Sequence, residues 1–469
     1  MARKFQVITP VDESVYAERS YASQREISCA LTLAGRMQER WKGVPIEERE
    51  AICTRAIRAF VAKKHQIAEE ISWQMGRPIR HSPGEVGGFE ERATHMVRIA
   101  EESLSDISVP EKTGFRRFIK REPLGVVLSI APWNYPYLTA VNTVIPAIMA
   151  GNAVILKHST QTPLCAERFN DAFREAGLPE GVFQYLHLTH GQVEKIIGSP
   201  GIDFVSFTGS VPGGKRIERA VAGRFIDSGL ELGGKDPAYV RDDADLPISV
   251  GGLVDGAFFN SGQSCCGIKR IYVHGDAYEE FVEAFVELAS GYVLDNPLDG
   301  DTTLGPVVRL RAAEFVREQV REAVGMGAKQ LVDQDTFPMS RAGTTYLAPQ
   351  VLVGVDHSMS VMTEESFGPV VGIMEVSSDE EAIERMNDTR YGLTASVWTE
   401  DEEIAIEIGE RVRTGTWFMN RCDYLDPSLA WTGVKDSGRG CTLSTIGYER
   451  LTRPKSYHLK RGTRGGICK

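Results

Sequence analysis

Short apolar runs alternate with amphipathic segments through the middle of the chain. Buried strands are predicted at residues 125–129, 152–156, 182–187 and 204–208, and each is followed by a loop and a segment with helical spacing. This βαβ alternation is typical of a parallel sheet covered by helices. The first half of the chain therefore predicts an α/β lobe.

The same alternation resumes after Gly234. Strands are predicted at residues 268–274, 370–375 and 394–398, and helices at 253–260, 278–292, 312–326 and 379–387. Nearer the N-terminus, apolar spacing predicts helices at 46–72 and 88–104. Residues 115–120 and 452–460 alternate like exposed strands, which suits pairing with another subunit. The predicted fold class is α/β, with two Rossmann-like lobes that meet near residues 233–235 and a small β arm.

Composition narrows the classes of function. The 469 residues are 42% apolar and 25% charged, as in soluble globular proteins, and a net charge of −11 argues against nucleic acid as a partner. Residues 123–156 carry no charge, but Pro132, Pro136 and Pro146 interrupt them, so no membrane span is expected. The first 20 residues lack the apolar run of a secretory signal. The eight cysteines follow neither a disulfide framework nor zinc-ligand spacing, which predicts a cytoplasmic location and no metal.

Three residues have the chemistry to act on a carbonyl carbon. Cys265 follows a turn with Gly262, whose backbone amides could help to activate a thiol. Glu231 lies between two leucines and before two glycines, so burial should raise the pKa of this carboxylate toward that of a general base. Asn134 could donate its side-chain amide to an oxyanion. Each also has a structural alternative, namely a core cysteine, a buried ion pair and a turn-forming asparagine.

A phosphate site is predicted where the strand at 204–208 ends. Residues 209–215 read Gly-Ser-Val-Pro-Gly-Gly-Lys and open a helix, which matches a P-loop except that Arg216 replaces the Ser or Thr that would hold magnesium. No G-x-G-x-x-G fingerprint occurs in the sequence. The segment 209–215 still offers glycines, which allow a ligand to approach closely, and a helix N-terminus. Both features suit a phosphate group.

Taken in order, these segments resemble the NAD(P)-dependent aldehyde dehydrogenase superfamily over about residues 24–460. Further matches are Pro-Trp-Asn ending at Asn134, Lys157, Phe207-Thr208-Gly209-Ser210, Glu365-Ser366-Phe367-Gly368-Pro369 and Lys435-Asp436-Ser437-Gly438. The resemblance implies a cofactor-binding domain at 1–107 and 125–233 and a catalytic domain at 234–436. It also implies an oligomerisation arm at 108–124 and 450–469 that would join a homodimer or homotetramer.

The implied activity is oxidation of a small-molecule aldehyde to a carboxylic acid. Cys265 would attack the aldehyde to give a thiohemiacetal, and Asn134 with the Cys265 amide would hold the oxyanion. Hydride transfer to NAD or NADP would leave a thioester, which water activated by Glu231 would hydrolyse. Three alternatives stay open: a cofactor-independent thiol esterase, a P-loop-like nucleotide-binding protein, and a family member that serves as a binding or structural protein.

The resemblance also implies cofactor residues. Ser210 would bind the pyrophosphate, Lys157 the adenosine ribose, and Glu365 with Phe367 the nicotinamide ribose. The full expected set is Trp133, Lys157, Ser159, Thr160, Gly209, Ser210, Gly214, Leu232, Gly233, Glu365 and Phe367. Members that prefer NAD usually place a glutamate three positions after the lysine, where this chain has Thr160, so NADP should be accepted.

A substrate pocket follows from the same resemblance. Its expected lining residues are Tyr135, Leu138, Asn142, Tyr424 and Trp431, together with Thr139 and Leu425. Asp423 is expected near its mouth. Asn142 stands where the succinic semialdehyde enzymes of this family have a carboxylate-binding arginine, which argues against a semialdehyde. Arg421 nearby keeps that option open.

Overall fold

The computed structural model describes residues 3–461, and its N-terminal part combines a β-hairpin with five helices. These elements are β1 (Lys4–Ile8), β2 (Val15–Ser20), α1 (Gln24–Trp41), α2 (Ile46–Val61), α3 (Lys64–Met75), α4 (Pro83–Arg98) and α5 (Ala100–Leu104). The single helix predicted at 46–72 is wrong, because the chain bends at residues 62–63. No glycine or proline marks this bend, and the buried Phe60 and Ile67 keep the helical spacing across it. The helix predicted from residue 88 begins earlier, at Pro83.

The middle of the chain alternates strands and helices as predicted. Its elements are β3 (Ile107–Ser108), β4 (Phe115–Pro123), β5 (Val126–Ala131), α6 (Pro136–Met149), β6 (Ala153–His158), α7 (Pro163–Glu175), β7 (Phe183–Tyr185), α8 (His190–Ile197), β8 (Phe204–Thr208), α9 (Val211–Val221) and β9 (Asp227–Glu231). The uncharged stretch 123–156 thus forms a buried strand, a helix and a second buried strand. Across residues 3–461, no helix combines the length and apolar character needed to cross a bilayer.

The second half continues this alternation, and its last described element is a strand. Its elements are β10 (Asp236–Val240), α10 (Leu246–Phe258), β11 (Ile268–His274), α11 (Gly275–Ser290), α12 (Leu310–Gly325), β12 (Lys329–Gln330), β13 (Gln350–Val353), α13 (Ser360–Thr363), β14 (Val370–Val376), α14 (Asp379–Asn387), β15 (Thr394–Trp398), α15 (Glu402–Arg411), β16 (Thr416–Met419), β17 (Gly438–Arg439), α16 (Ser444–Glu449) and β18 (Thr452–Lys460).

Two large sheets organise these elements and confirm the predicted α/β class. The first has the strand order β17-β9-β8-β5-β6-β7 and is parallel except for β17. The second has the order β12-β13-β14-β11-β10-β15-β16 and is parallel except for β12. The chain passes from the first sheet to the second between Glu231 and Asp236.

A third, antiparallel sheet forms the arm. Its order is β18-β4-β3, and β18 pairs with β4 from Thr452 opposite Pro123 to Lys460 opposite Phe115. Most side chains of β18 are exposed. Residues 462–469, which the predicted arm includes, lie outside the described residues, as do residues 1–2 of the first predicted domain.

Candidate active site

The carboxyl ends of neighbouring strands bring several predicted site residues to one edge of the first sheet. Ile130 of β5 pairs with Lys157 of β6 and with Phe207 of β8, and Thr208 of β8 pairs with Glu231 of β9. Trp133 and Asn134 follow β5, and Gly209 and Ser210 follow β8. Ligands of open parallel sheets bind outside this edge. The topology therefore places a candidate base and a candidate phosphate site side by side.

The thiol of Cys265 is presented by a strained turn, Phe259–Gly262, which we call the nucleophile turn. Asn260, Ser261 and Gly262 have φ values of 54°, 57° and 66°, and left-handed backbone is costly for residues other than glycine. The Ser261 hydroxyl donates to the Gly305 carbonyl at 2.7 Å, which helps to hold the turn. A side chain on Gly262 would overlap the Gly368 carbonyl. Cys265 itself is half-buried.

Asn134 is buried beside the nucleophile turn. Its Nδ2 donates to the Gln263 carbonyl at 3.2 Å, and its own carbonyl accepts from Asn260 Nδ2 at 3.1 Å. An amide nitrogen carries two hydrogens, so one remains for another acceptor. Asn134 is thus fixed against Gln263, two positions before Cys265, with one N–H of its amide to spare.

A buried ion pair that the sequence did not reveal supports this arrangement. Arg77 Nη1 lies 2.5 Å from Glu85 Oε2, and both side chains are almost fully buried. The guanidinium also donates to the Asn134 carbonyl at 2.5 Å and to Asn260 Oδ1 at 3.0 Å. Glu85 Oε1 accepts the backbone N–H of Tyr137 at 2.9 Å, in the first turn of α6. The Arg77–Glu85 pair therefore ties the Asn134 loop to the nucleophile turn.

Glu231 ends β9 and is held by two threonines. Thr442 Oγ1 donates to Glu231 Oε1 at 2.6 Å, and Thr208 Oγ1 donates to Oε2 at 3.0 Å. Burial raises the pKa of Glu231, and the Thr442 and Thr208 hydrogen bonds partly oppose that rise. Each carboxylate oxygen keeps a free lone pair that could accept from water.

A cavity of ≈ 400 Å³, which we call the catalytic cavity, adjoins several of these groups, although Asn134 is not among its lining residues. Cys265 and Glu231 both line it, and so do all seven residues predicted for the substrate pocket, namely Tyr135, Leu138, Thr139, Asn142, Tyr424, Leu425 and Trp431. Arg421 is not among the lining residues, and its guanidinium stacks 3.7 Å from the Tyr424 ring centroid. Asp423, expected near the mouth, contacts the residues that flank the nucleophile: Ser264 and Cys266 donate to its Oδ1 at 3.2 and 2.8 Å. Burial raises the pKa of Asp423 to about 6.

Lys157 fits a ligand with hydroxyl groups. Its side chain is buried, and in residues 3–461 its Nζ has neither a hydrogen-bond acceptor nor an ion-pair partner. Desolvation lowers the pKa of Lys157 to about 8. A buried amine without a partner is costly, so a ribose that accepts its hydrogen bonds would satisfy it. Ser159 and Thr160 follow it and are half-buried.

The expected phosphate site is a helix N-terminus. The Ser210 hydroxyl caps α9 by accepting from the Gly213 amide at 3.3 Å, and Gly209 N–H donates to the Glu231 carbonyl at 3.0 Å. A side chain on Gly214 would collide with Leu232, so glycine lets α9 pack against that residue. These features fit a pyrophosphate.

The remaining predicted cofactor residues gather at the connection between the two sheets. Gly234 N–H donates to Glu365 Oε1 at 3.3 Å, and burial raises the pKa of Glu365. A side chain on Gly233 would overlap Glu365, and one on Gly234 would overlap the Cys265 carbonyl. The Gly233 carbonyl accepts from the Ser437 hydroxyl at 2.7 Å. Trp133 and Phe367 meet edge to face with centroids 5.5 Å apart.

A model of the aldehyde dehydrogenase family matches residues 1–457. The chain belongs to this family. It is 36% identical over 413 residues to an aldehyde dehydrogenase of Paenarthrobacter nicotinovorans, covering 87% of this chain and 90% of that protein. It is 32% identical over 454 residues to a succinate-semialdehyde dehydrogenase (NADP(+)) of Deinococcus radiodurans, covering 97% of this chain and 94% of that protein. The solved structure of succinic semialdehyde dehydrogenase from Streptococcus pyogenes in complex with NADP+ covers 97% of this chain and 100% of that one, with 27% identity and a TM-score of 0.93.

Membership of the aldehyde dehydrogenase family confirms the predicted resemblance and the assignment as an oxidoreductase. The expectation of NAD or NADP agrees with relatives whose names or structures carry NADP. The structure gives the P-loop alternative no support. Lys215 is 58% exposed and lies 3.9 Å from Asp436, and Arg216 pairs with Glu194.

Proposed function

We propose that this aldehyde dehydrogenase oxidises an aldehyde to a carboxylic acid with NADP or NAD, with Cys265 as the nucleophile and Glu231 as the base for hydrolysis. The observation that carries the proposal is that Cys265 and Glu231 line one cavity at the edge of the sheet where dinucleotides bind. Glu231 also favours hydrolysis over transfer of the acyl group to a thiol, because a base is needed to activate water.

The first step is attack by the Cys265 thiolate on the aldehyde carbon. The carbonyl oxygen becomes an oxyanion, for which the second N–H of Asn134 and the Cys265 backbone amide are the donors. Bound nicotinamide dinucleotide supplies the hydride acceptor. Loss of hydride turns the thiohemiacetal into a thioester on Cys265. Glu231 then takes a proton from water, the hydroxide displaces the thiolate, and the carboxylic acid leaves.

The residues at the carboxyl edge would hold the dinucleotide. Ser210 and the amides at the start of α9 suit the pyrophosphate, and the unpaired Lys157 suits the adenosine ribose. Glu365 and Phe367 would meet the nicotinamide ribose. Thr160 is neutral, so it would not repel a 2′-phosphate as a carboxylate would. This supports acceptance of NADP, and we further propose that NADP is preferred over NAD.

The proposal extends to domains, assembly and location. The segments 1–107 and 125–233 bind the cofactor, and 234–436 carries the nucleophile. The arm, 108–124 and 450–469, joins subunits into a homodimer or homotetramer. Support comes from the exposed Ile107 and Leu459 in its sheet. A cytoplasmic location is supported by cysteines that are all free in the described residues.

The proposal is tested by following reduced cofactor at 340 nm with about twenty aldehydes, each with NADP and with NAD. We expect acid formation equal to cofactor reduced and a higher kcat/KM with NADP. Ester hydrolysis without any aldehyde oxidation would instead support the thiol esterase. Equal or higher kcat/KM with NAD would contradict the cofactor preference alone.

Thr442 should hold down the pKa of Glu231, the proposed base. In Thr442→Val the hydrogen bond to Glu231 is lost, and because that bond lowers the Glu231 pKa, the pKa should rise further. Turnover limited by hydrolysis should then begin to fall at a higher pH as the solution is acidified. The measurement is kcat against pH.

Thr345→Val is the matched control for Thr442→Val. It removes the hydroxyl of a different threonine, which is buried, bonds to the Pro10 carbonyl at 2.7 Å and lies outside the catalytic cavity. If kcat began to fall at the same pH in Thr442→Val and in the wild type as the solution is acidified, Thr442 would not act on Glu231.

A further inference from the structure

Arg92 is a buried arginine that faces the catalytic cavity without an acidic partner. It lies on α4, is 7% exposed and lines the same cavity as Cys265 and Glu231. Its Nη1 donates to the Leu138 carbonyl at 2.9 Å and, more weakly, to Asn142 Oδ1 at 3.4 Å. Over residues 3–461, its Nε and Nη2 have no hydrogen-bond acceptor, and no carboxylate oxygen lies within 4.0 Å of the guanidinium. Neither atom is completely shut off from solvent.

The acidic groups around Arg92 are mostly engaged elsewhere. Glu85 accepts from Arg77 and from backbone amides of α6, Glu91 from Tyr424, Glu231 from Thr442 and Thr208, and Asp423 from Ser264 and Cys266. Asp255 also lines the cavity and is exposed. Desolvation lowers the pKa of Arg92, although Glu85 and Glu231 oppose this. A guanidinium buried without a contacting anion is costly, so an enzyme retains one where a ligand supplies the anion.

The open side of the guanidinium has the geometry of a carboxylate site. Nε–H and Nη2–H lie on one edge of the planar group and point the same way, which matches the two oxygens of a carboxylate. Nη1, on the other edge, is anchored to α6 through Leu138. The anchored edge orients the fork, and Arg92 as a whole lines the catalytic cavity.

We propose that Arg92 binds a carboxylate on the substrate, so that the catalytic cavity selects aldehydes that carry a second, anionic group. The inference rests on the proposed function, because it takes the aldehyde end of the substrate to react at Cys265. It assigns the anion subsite to α4. Asn142 supplies a neutral side chain beside that subsite, and Arg421 lies outside the cavity lining.

The test compares aldehydes of equal size that differ in charge. In the full-length enzyme with saturating NADP, kcat/KM is measured for 4-formylbenzoate against 4-formylbenzamide, and for 4-oxobutanoate against 4-oxobutanamide. The wild type should favour the carboxylates by about 10-fold or more, since a hydrogen bond to a charged group is worth that much. Arg92→Gln should lower kcat/KM for the carboxylates by about 10- to 100-fold, chiefly through KM. The neutral aldehydes should change by less than about threefold on the same basis.

Two variants separate recognition from support of α6. Arg92→Lys keeps the charge and loses the planar fork, so it should recover part of the preference. Arg98→Gln removes an exposed arginine from the same helix and should leave both aldehyde classes unchanged. An equal loss for charged and neutral aldehydes in Arg92→Gln would mean that Arg92 only supports Leu138, and the proposal would be overturned. A wild-type preference for neutral aldehydes would overturn it too.

A binding experiment keeps this test independent of turnover. Calorimetry with 4-(hydroxymethyl)benzoate and 4-(hydroxymethyl)benzamide uses alcohols that cannot react with the thiol. The benzoate should bind more tightly to the wild type, and that advantage should disappear in Arg92→Gln. If no aldehyde reduces the cofactor, the proposed function fails, while the benzoate result still decides whether Arg92 forms an anion subsite. Equal affinity for both alcohols would overturn the proposal.

Discussion

Replacing Cys265 by alanine is expected to lower aldehyde-dependent formation of reduced cofactor by about 1,000-fold or more, because no other group would form the covalent intermediate. Hydrolysis of 4-nitrophenyl acetate should be lost to a similar extent, since the same thiol would accept the acyl group. Binding of NADP should persist, because Lys157 and the start of α9 remain. The measurements are absorbance at 340 nm, ester hydrolysis and calorimetric titration with NADP.

The control for Cys265→Ala is the same substitution at Cys29, an exposed cysteine of α1. Cys29→Ala should retain wild-type rates. Substantial residual oxidation of aldehydes by Cys265→Ala would indicate that the adjacent Cys266 is the nucleophile. Its thiol is buried and donates to Asp423. Loss of NADP binding together with activity would indicate a folding defect rather than loss of the nucleophile.

The sequence predicted the parts of the site that depend on short segments. The apolar run before Gly209 and the glycines after Glu231 mark the ends of two strands. Each of these signals lies within a few residues of the site residue that it indicates. The alternation alone did not bring Lys157, Ser210 and Glu231 together: the family resemblance implied roles for Lys157 and Ser210, and the flanking leucines and glycines singled out Glu231. In the structure, β6, β8 and β9 belong to one parallel sheet, and these residues lie at or directly after the ends of those strands.

The groups that position the reactive side chains were missed because their contacts join distant segments. Arg77 lies 183 positions from Asn260, and Thr442 lies 211 positions from Glu231. No spacing rule links such pairs. Arg92 was missed for another reason: charged residues on an amphipathic helix usually face water, and only the packing of α4 against α6 turns this one inward.

A local signal for the nucleophile turn was nevertheless present. Three successive left-handed residues are rare, and asparagine before serine and glycine is among the less costly ways to build them. Strain of this kind persists only where surrounding contacts impose it. Here Arg77 and Gly305 supply those contacts, so the turn and its distant supports act as one unit.

Glu231→Gln is expected to separate the two halves of the reaction. Glutamine fills the same space but cannot take a proton from water, so the thioester on Cys265 should form and then persist. Rapid mixing should show a burst of about one reduced cofactor per active site, followed by turnover slowed about 100-fold or more. Glu48→Gln, on the exposed surface of α2, should behave like the wild type.

The pH dependence of hydrolysis gives the same variant a second readout. Glu231 acts as a base only when ionised, and burial raises its pKa above the ordinary value for glutamate. In the wild type, the rate of hydrolysis should therefore be maximal above that raised pKa and should fall as the pH drops through it. Glutamine does not titrate, so the residual hydrolysis in Glu231→Gln should lack this limb. A variant that shows no burst, but forms reduced cofactor slowly from the first turnover, would place Glu231 in activation of the thiol rather than of water.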